Sequence, residues 1–178
     1  MTVLRILELP DPGLRKVAQP VAAIDAATRT LIDDMFDTMY DARGIGLAAT
    51  QVGVLSRVVV IDLQEGEEEG AEGEAKPLRQ PQAFVNPEIT WISDDLATYN
   101  EGCLSIPEQY AEVDRPARCR LKWLDRDGGV HEQEFDGLMS TCIQHEIDHL
   151  NGVLFIDRIS RLKREMLVKK LNKARKAA

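Results

Sequence analysis

Apolar residues fall into two rhythms along this chain. Between about Asp25 and Ala42, Ile24, Leu31, Ile32, Met35, Phe36, Met39 and Tyr40 recur at helical spacing, with Asp33, Asp34 and Asp37 between them. That is the signature of an amphipathic helix, and Gly44 stops it. Shorter runs follow with a strand-like rhythm: Arg57–Ile61, Ala83–Val85 and Ile89–Ile92. Cys119, Leu121 and Trp123 alternate with Arg118, Arg120 and Lys122, and Asp127-Gly128-Gly129 turns the chain into Val130–Phe135, which carries Glu132 and Glu134. This predicts a hairpin with opposite charges available across it. A helix is expected from about Leu138 to Leu150, ending at Asn151-Gly152, and then a short extended run over Val153–Ile156. Ser160 is a plausible N-cap for a last helix to about Ala174, expected to bury Leu162, Met166 and Leu171.

The connections are equally legible. Leu9-Pro10-Asp11-Pro12-Gly13 is turn chemistry and makes the N-terminus an extended arm. Gln64–Lys76, acidic and of low complexity, reads as a solvated, mobile loop between strands. No internal repeat is present. Together these elements predict an α+β fold, with small antiparallel or mixed sheets surrounding the central helix at 138–150 and helices near both ends. At 178 residues, 1–178 is most simply one domain with a core that needs no disulfides.

Composition narrows the class. The chain is 44% hydrophobic and 29% charged, as in an ordinary globular protein. No apolar run approaches the roughly 20 residues of a membrane span, and no signal-peptide pattern opens the chain. Three cysteines, Cys103, Cys119 and Cys142, are odd in number and sparse, which points to a reducing cytoplasm. The net charge of −8 is uneven: residues 158–178 hold nine Lys/Arg against one acid, Glu165. An acidic body with a basic tail disfavours general nucleic-acid binding and sequence-specific DNA recognition, and leaves the 158–178 helix able to dock on an anionic partner.

The chemistry concentrates in Gln144-His145-Glu146-Ile147-Asp148-His149-Leu150. At about 3.6 residues per turn, His145 and His149 share one helix face and can hold one metal ion. Glu146 lies about 100° around the same turn, where it can serve as general base to a metal-activated water. The competing reading is a surface helix with solvated histidines. Two of the three histidines sit here, and Cys103 in Glu101-Gly102-Cys103-Leu104-Ser105 can supply a third ligand, leaving the fourth tetrahedral position open as hydrolysis requires. The Gly-Cys segment reads as a loop. The longer H-E-x-x-H-x-x-G-x-x-H pattern fails, with Gly152 in place but Phe155 where its last histidine belongs. Gly44-Ile45-Gly46-Leu47-Ala48-Ala49 fits G-x-G-x-x-A, but it leaves a helix and enters a β-branched run, the reverse of a dinucleotide fingerprint, and no P-loop lysine follows. What remains is a small-residue loop able to approach a ligand, with Gln51 as its one strongly polar side chain.

Three motifs in order, Gly44–Gln51, Glu101–Ser105 and Gln144–His149, resemble the signature motifs of bacterial peptide deformylases, as do the opening Pro10–Arg15 and the overall length. The resemblance implies a metallohydrolase that removes the N-formyl group from the formyl-methionine of nascent polypeptides. It implies one divalent ion held by Cys103, His145 and His149, usually Fe²⁺, with Ni²⁺, Co²⁺ or Zn²⁺ able to replace it. Glu146 would act as general acid/base, and Gln51 and the Leu104 backbone N–H would meet the oxyanion. Gly46 would contact substrate through its backbone, and Ile45, Leu138 and Cys142 would line the methionine pocket; Cys142 also reads as a plain core cysteine. Glu101 and Arg115 match a structural ion pair of the family. Asp148 reads either as an orienting partner of a ligand or as a helix salt bridge. The basic C-terminal helix suggests docking on the ribosome. One departure is Tyr110, standing where many members carry an arginine that contacts the substrate backbone. Two alternatives are another HExxH amidase or peptidase and a non-catalytic ribosome-associated module.

Overall fold

The computed structural model describes residues 2–69 and 74–178. Among the described residues three helices, α1 (Ala26–Asp41), α2 (Gly137–Leu150) and α3 (Arg161–Ala177), combine with nine strands. The strands are β1 (Gly46–Ala48), β2 (Val58–Ile61), β3 (Glu67–Glu69), β4 (Ala75–Pro77), β5 (Gln82–Ile92), β6 (Leu96–Cys103), β7 (Ile106–Pro116), β8 (Cys119–Leu124) and β9 (Val130–Phe135). They form a five-stranded antiparallel sheet in the order β1-β2-β5-β8-β9 and two two-stranded ribbons, β3-β4 and β6-β7. The expected α+β class is the observed one, and every paired strand in these sheets is antiparallel.

The main sheet lies between two helices, and its side-chain alternation shows how. Val59 and Ile61 of β2 point into a core shared with Phe84, Leu121, Trp123, Ile143 and Leu150 of the α2 side. Val58 and Val60 point the other way, against Ile32, Met35 and Met39 of α1. A strand buried on both faces must be apolar at every position, which is why β2 reads as an unbroken β-branched run. On β8 the cationic side chains leave the core, and Arg120 meets Glu134 of β9 at 3.5 Å, in the pair-wise register the alternating charges predicted. Asp25 caps α1 by accepting from the Thr28 amide at 2.8 Å.

The helix α2 is buried on all sides from Ser140 to Leu150. A buried polar side chain is costly unless it is paired, and most of those on α2 are: Gln144 donates to Pro116 O at 2.9 Å, His145 meets Glu101, and Asp148 meets two arginines. Gly152 ends the helix with φ +73°, and a Cβ there would lie 2.5 Å from the Arg15 carbonyl oxygen, so only glycine fits.

Several local expectations are corrected. The segment around Cys103 is not a loop: it is the end of the β6–β7 hairpin, which spans residues 96–116 and was not anticipated. Its polar exposed face hides the alternation, since β6 buries only Glu101. Val153–Ile156 does not continue as an extended run, because Phe155–Arg158 forms a 3-10 turn that buries Phe155 and Ile156. On α3 Leu171 is buried as expected and Leu167 joins it, while Leu162 and Met166 are 68% and 54% exposed. The helix is therefore rotated from the predicted face, because Leu167 and Leu171 meet Ile106 and Val113 of β7. Within Gln64–Lys76, strands β3 and β4 pair as a ribbon; the part of that expected loop at 70–73 lies outside the described residues. Buried Asp62 pins both roots of the ribbon by accepting from the Gln64 and Gln80 amides at 3.0 and 3.1 Å. The small-residue loop after α1 likewise contains β1 and a 3-10 turn at Ala49–Val52.

Candidate metal centre and catalytic cleft

Three elements bring the three motifs together. The hairpin end delivers Cys103, α2 delivers His145 and His149 from adjacent turns, and the 3-10 turn after β1 delivers Gln51. The ligand atoms of Cys103, His145 and His149 all lie within 4.8 Å of one another. Cys103 Sγ is 3.2 Å from His149 Nε2. The hairpin places the sulfur: Cys103 pairs with Ile106 across the two-residue turn Leu104-Ser105, and the register shifts between Gly102 and Cys103. Such an irregularity re-aims a side chain out of the ribbon. The N-terminal arm holds both loops in place, with the Leu7 amide donating to Gln51 O at 2.7 Å and the Leu9 amide to Ser105 O at 2.9 Å.

The surroundings suit a metal ion. His145 Nδ1 lies 2.8 Å from Glu101 Oε1, which leaves Nε2 free to ligate, and this carboxylate–imidazole arrangement fixes the ring. Burial pushes the Glu101 carboxyl up, but hydrogen bonds from His145 and Arg115 outweigh it and hold the group below the usual carboxylate range. Burial pushes His149 well below its ordinary value, which favours the neutral imidazole that metal binding needs. A thiol and two imidazoles converging on one point are a donor set for a transition metal. Two buried atoms beside them, Glu146 Oε2 and His149 Nδ1, have no hydrogen-bond partner among the described residues.

Glu146 is the other chemically loaded group. Burial pushes its carboxyl up to about 7, the range in which a carboxylate both takes and returns protons near neutral pH. It lines a cleft of about 500 Å³ together with Ile45, Gly46, Gln51, Cys103, Leu104, Leu138, Cys142 and His145. Every residue expected at the site is therefore in this cleft or, for His149, at the sulfur behind it. The cleft wall at Cys142 is apolar, and burial pushes that thiol well above its ordinary range.

The sequence profile described as polypeptide deformylase matches residues 3–165. The chain belongs to the polypeptide deformylase family. It is 61% identical over 177 residues to a peptide deformylase from Rhizorhabdus wittichii, covering 99% of this chain and 98% of that protein. A peptide deformylase from Zymomonas mobilis is 58% identical over 176 residues, with 99% and 97% covered. Among solved structures, the peptide deformylase from Legionella pneumophila superposes with a TM-score of 0.86 at 46% identity, over 99% and 97% of the two chains. That from Ehrlichia chaffeensis in complex with actinonin gives 0.86 at 38%, over 98% of each. The family is metal-dependent, in keeping with the Cys103–His145–His149 cluster. The deformylase profile ends at residue 165, so most of α3 lies beyond it.

This member of the deformylase family also shows site residues that the sequence reading passed over. Ser105 accepts from Gln51 Nε2 at 3.0 Å, while Gln51 Oε1 accepts from the Ala48 amide at 2.9 Å. The amide is thereby fixed with its remaining hydrogen turned toward Cys103 Sγ at 3.6 Å. Ser105 stands two residues after the cysteine in the motif, a signal that was available. Tyr99 and Thr141 also line the cleft, together with Tyr110, the departure already noted in the sequence. The ring of Tyr110, 65% exposed, covers Gly102, where a Cβ would lie 2.5 Å from it.

Proposed function

We propose that this chain is a working deformylase: a metal-dependent hydrolase that removes the N-formyl group from the formyl-methionine of nascent polypeptides and releases formate. The observation that carries the reading is the buried, unpartnered Glu146 oxygen in the same cleft as the Cys-His-His cluster. Cys103, His145 and His149 hold the ion, and the family's usual Fe²⁺ is the ion we assign. When bound, it supplies a Lewis acid that brings the pKa of water toward about 7. Glu146 takes a proton from the attacking water and returns it to the departing amine. The Gln51 side-chain amide and the Leu104 backbone N–H stabilise the oxyanion; removing one such donor typically costs about 10²–10³ in rate. Ile45, Leu138 and Cys142 enclose the methionine side chain, and Gly46 offers its backbone to the peptide. Residues 1–178 act as one catalytic domain.

The reading includes a cytoplasmic setting, supported by three free cysteines and by the absence of any helix among the described residues long and apolar enough to cross a membrane. It also includes docking of α3 on the ribosome, supported by its basic surface and by the exposed Leu162 and Met166. Lack of co-sedimentation with ribosomes at low as well as at high salt would remove the docking.

The deciding experiment is formate release from formyl-Met-Ala-Ser by protein purified without oxygen, beside a chelated sample and Glu146→Ala. Release lost in both controls is the expected result. No release by metal-loaded protein would reject the activity, and near wild-type turnover by Glu146→Ala would reject the role of that residue.

A further inference from the structure

A chain of alternating charges leads from His145 to the root of α3. His145 Nδ1 meets Glu101 Oε1 at 2.8 Å. Arg115 grips the same carboxylate with Nε at 2.7 Å and Nη2 at 3.0 Å. Its remaining nitrogen, Nη1, donates to Asp148 Oδ2 at 2.9 Å. Asp148 then receives a two-point clasp from Arg158, Nε to Oδ2 at 3.0 Å and Nη2 to Oδ1 at 2.7 Å. Glu101, Arg115 and Asp148 are buried, whereas the Arg158 side chain is 47% exposed. Arg158 ends the 3-10 turn just before α3.

The charges do not balance without the last member. Glu101, Arg115 and Asp148 sum to −1 in a buried place, and Arg158 brings the sum to zero. Asp148 Oδ1 has Arg158 as its protein hydrogen-bond partner, so losing Arg158 leaves that oxygen with no protein donor and at most water from the adjoining cleft. Among the described residues Arg115 is then the one remaining protein cation on Asp148, while its other two donors hold Glu101, and it is drawn toward Asp148 and off the carboxylate that orients His145. We infer that Arg158 is a positioning residue for the metal ligand His145, acting through Asp148, Arg115 and Glu101.

This inference rests on the Cys103–His145–His149 metal site proposed above. Two effects of removing Arg158 have opposite signs, which makes it testable. Taking away a positive charge favours cation binding by its direct field; loosening His145 weakens it. The exposed side chain screens the first effect, so weakening is expected to prevail. Partners behind metal ligands typically change affinity about 10–100-fold, and Arg158, further along the chain of contacts, is assigned the lower end, about 10-fold.

The test is Co²⁺ uptake by metal-free protein, followed by the absorption bands of the Co²⁺–thiolate site, in wild type, Arg158→Ala, Arg158→Lys, Asp148→Asn and the double variant. Arg161→Ala, which removes the same charge from an exposed pair with Glu165, is the control. Expected are about 10-fold weaker binding with altered bands in Arg158→Ala and a smaller loss in Arg158→Lys, whose ammonium cannot reproduce the fork. Arg161→Ala should bind as wild type. In the double variant, removing Arg158 should add little beyond Asp148→Asn. Unchanged or tighter binding by Arg158→Ala would overturn the inference, as would additive effects in the double variant or an equal loss in Arg161→Ala. Failure of the wild type to take up Co²⁺ would instead overturn the metal-site reading, and this inference with it.

Discussion

Gly46 offers the sharpest test of how the cleft is built. Its φ is not in the left-handed region, so the backbone of β1 would accept alanine there without strain. Space is the constraint. A Cβ at this position would lie 2.6 Å from Glu146 Oε1, 3.1 Å from its Cδ and 3.2 Å from its Cγ. Ordinary contact begins at 3.4 Å, so the carboxylate must retreat by about 0.8 Å. The strand cannot retreat instead, because Gly46 pairs with Ile61 and Leu47 with Val60 in the main sheet. Neither can α2, which is buried on all sides. Misplacing a catalytic group by about 1 Å can cost about 10²-fold in rate. Gly46→Ala is therefore expected to fold, to bind metal as wild type and to lose about 10²-fold in kcat for formyl-Met-Ala-Ser, with KM little changed. Formate release by metal-loaded protein, with metal content measured on the same sample, reads this directly. Alanine keeps every backbone donor and acceptor of residue 46. Wild-type kcat in Gly46→Ala would mean that the residue serves only through its backbone, and the steric reasoning would fail.

Other expectations follow from the same geometry. Arg115→Met leaves Glu101 and Asp148 buried without their shared cation and should cost about 3–5 kcal/mol, read by urea denaturation; a loss under about 1 kcal/mol would show that the two carboxylates find other partners. Co²⁺ at a hundredfold excess over Kd should stabilise the metal-free fold by about 2.7 kcal/mol, read as a melting temperature that falls on chelation and recovers with Co²⁺; a melting curve indifferent to metal would contradict the site. In metal-free native protein near neutral pH, iodoacetamide should label Cys103 and spare Cys119 and Cys142, whose thiols burial pushes up. Peptide mapping that finds Cys142 labelled as fast as Cys103 would show that the cleft opens further than described.

Much of the site was legible in the residues because its chemistry is local. His145 and His149 need only a helix to share a face, with Glu146 beside them on the same turn, and the helix was announced by that spacing and by its Asn151-Gly152 stop. Helix α1 and the β8–β9 hairpin were readable for the same reason, since each carries its pattern within itself. The third ligand was legible as a residue but not as a structure. Cys103 looked like a loop residue because the exposed face of β6 and β7 is polar, and a two-stranded ribbon facing solvent leaves little apolar alternation.

The sequence by itself determined the class of chemistry and the α+β pattern, and it marked His145 and His149 as one candidate ligand pair with Cys103 as a candidate third, because residue type and short-range spacing suffice for that much. Only the tertiary structure decided which face of α3 turns inward, how the arm ties Gln51 and Ser105, and that Arg158 closes a charge chain reaching His145. Those outcomes depend on contacts between residues far apart in the chain. Leu167 takes the place beside Leu171 on the inner face, in preference to Leu162 and Met166, because β7 presents Ile106 and Val113 there. Arg158 earns its role only because folding buries Asp148 beside it, where a carboxylate must find a partner.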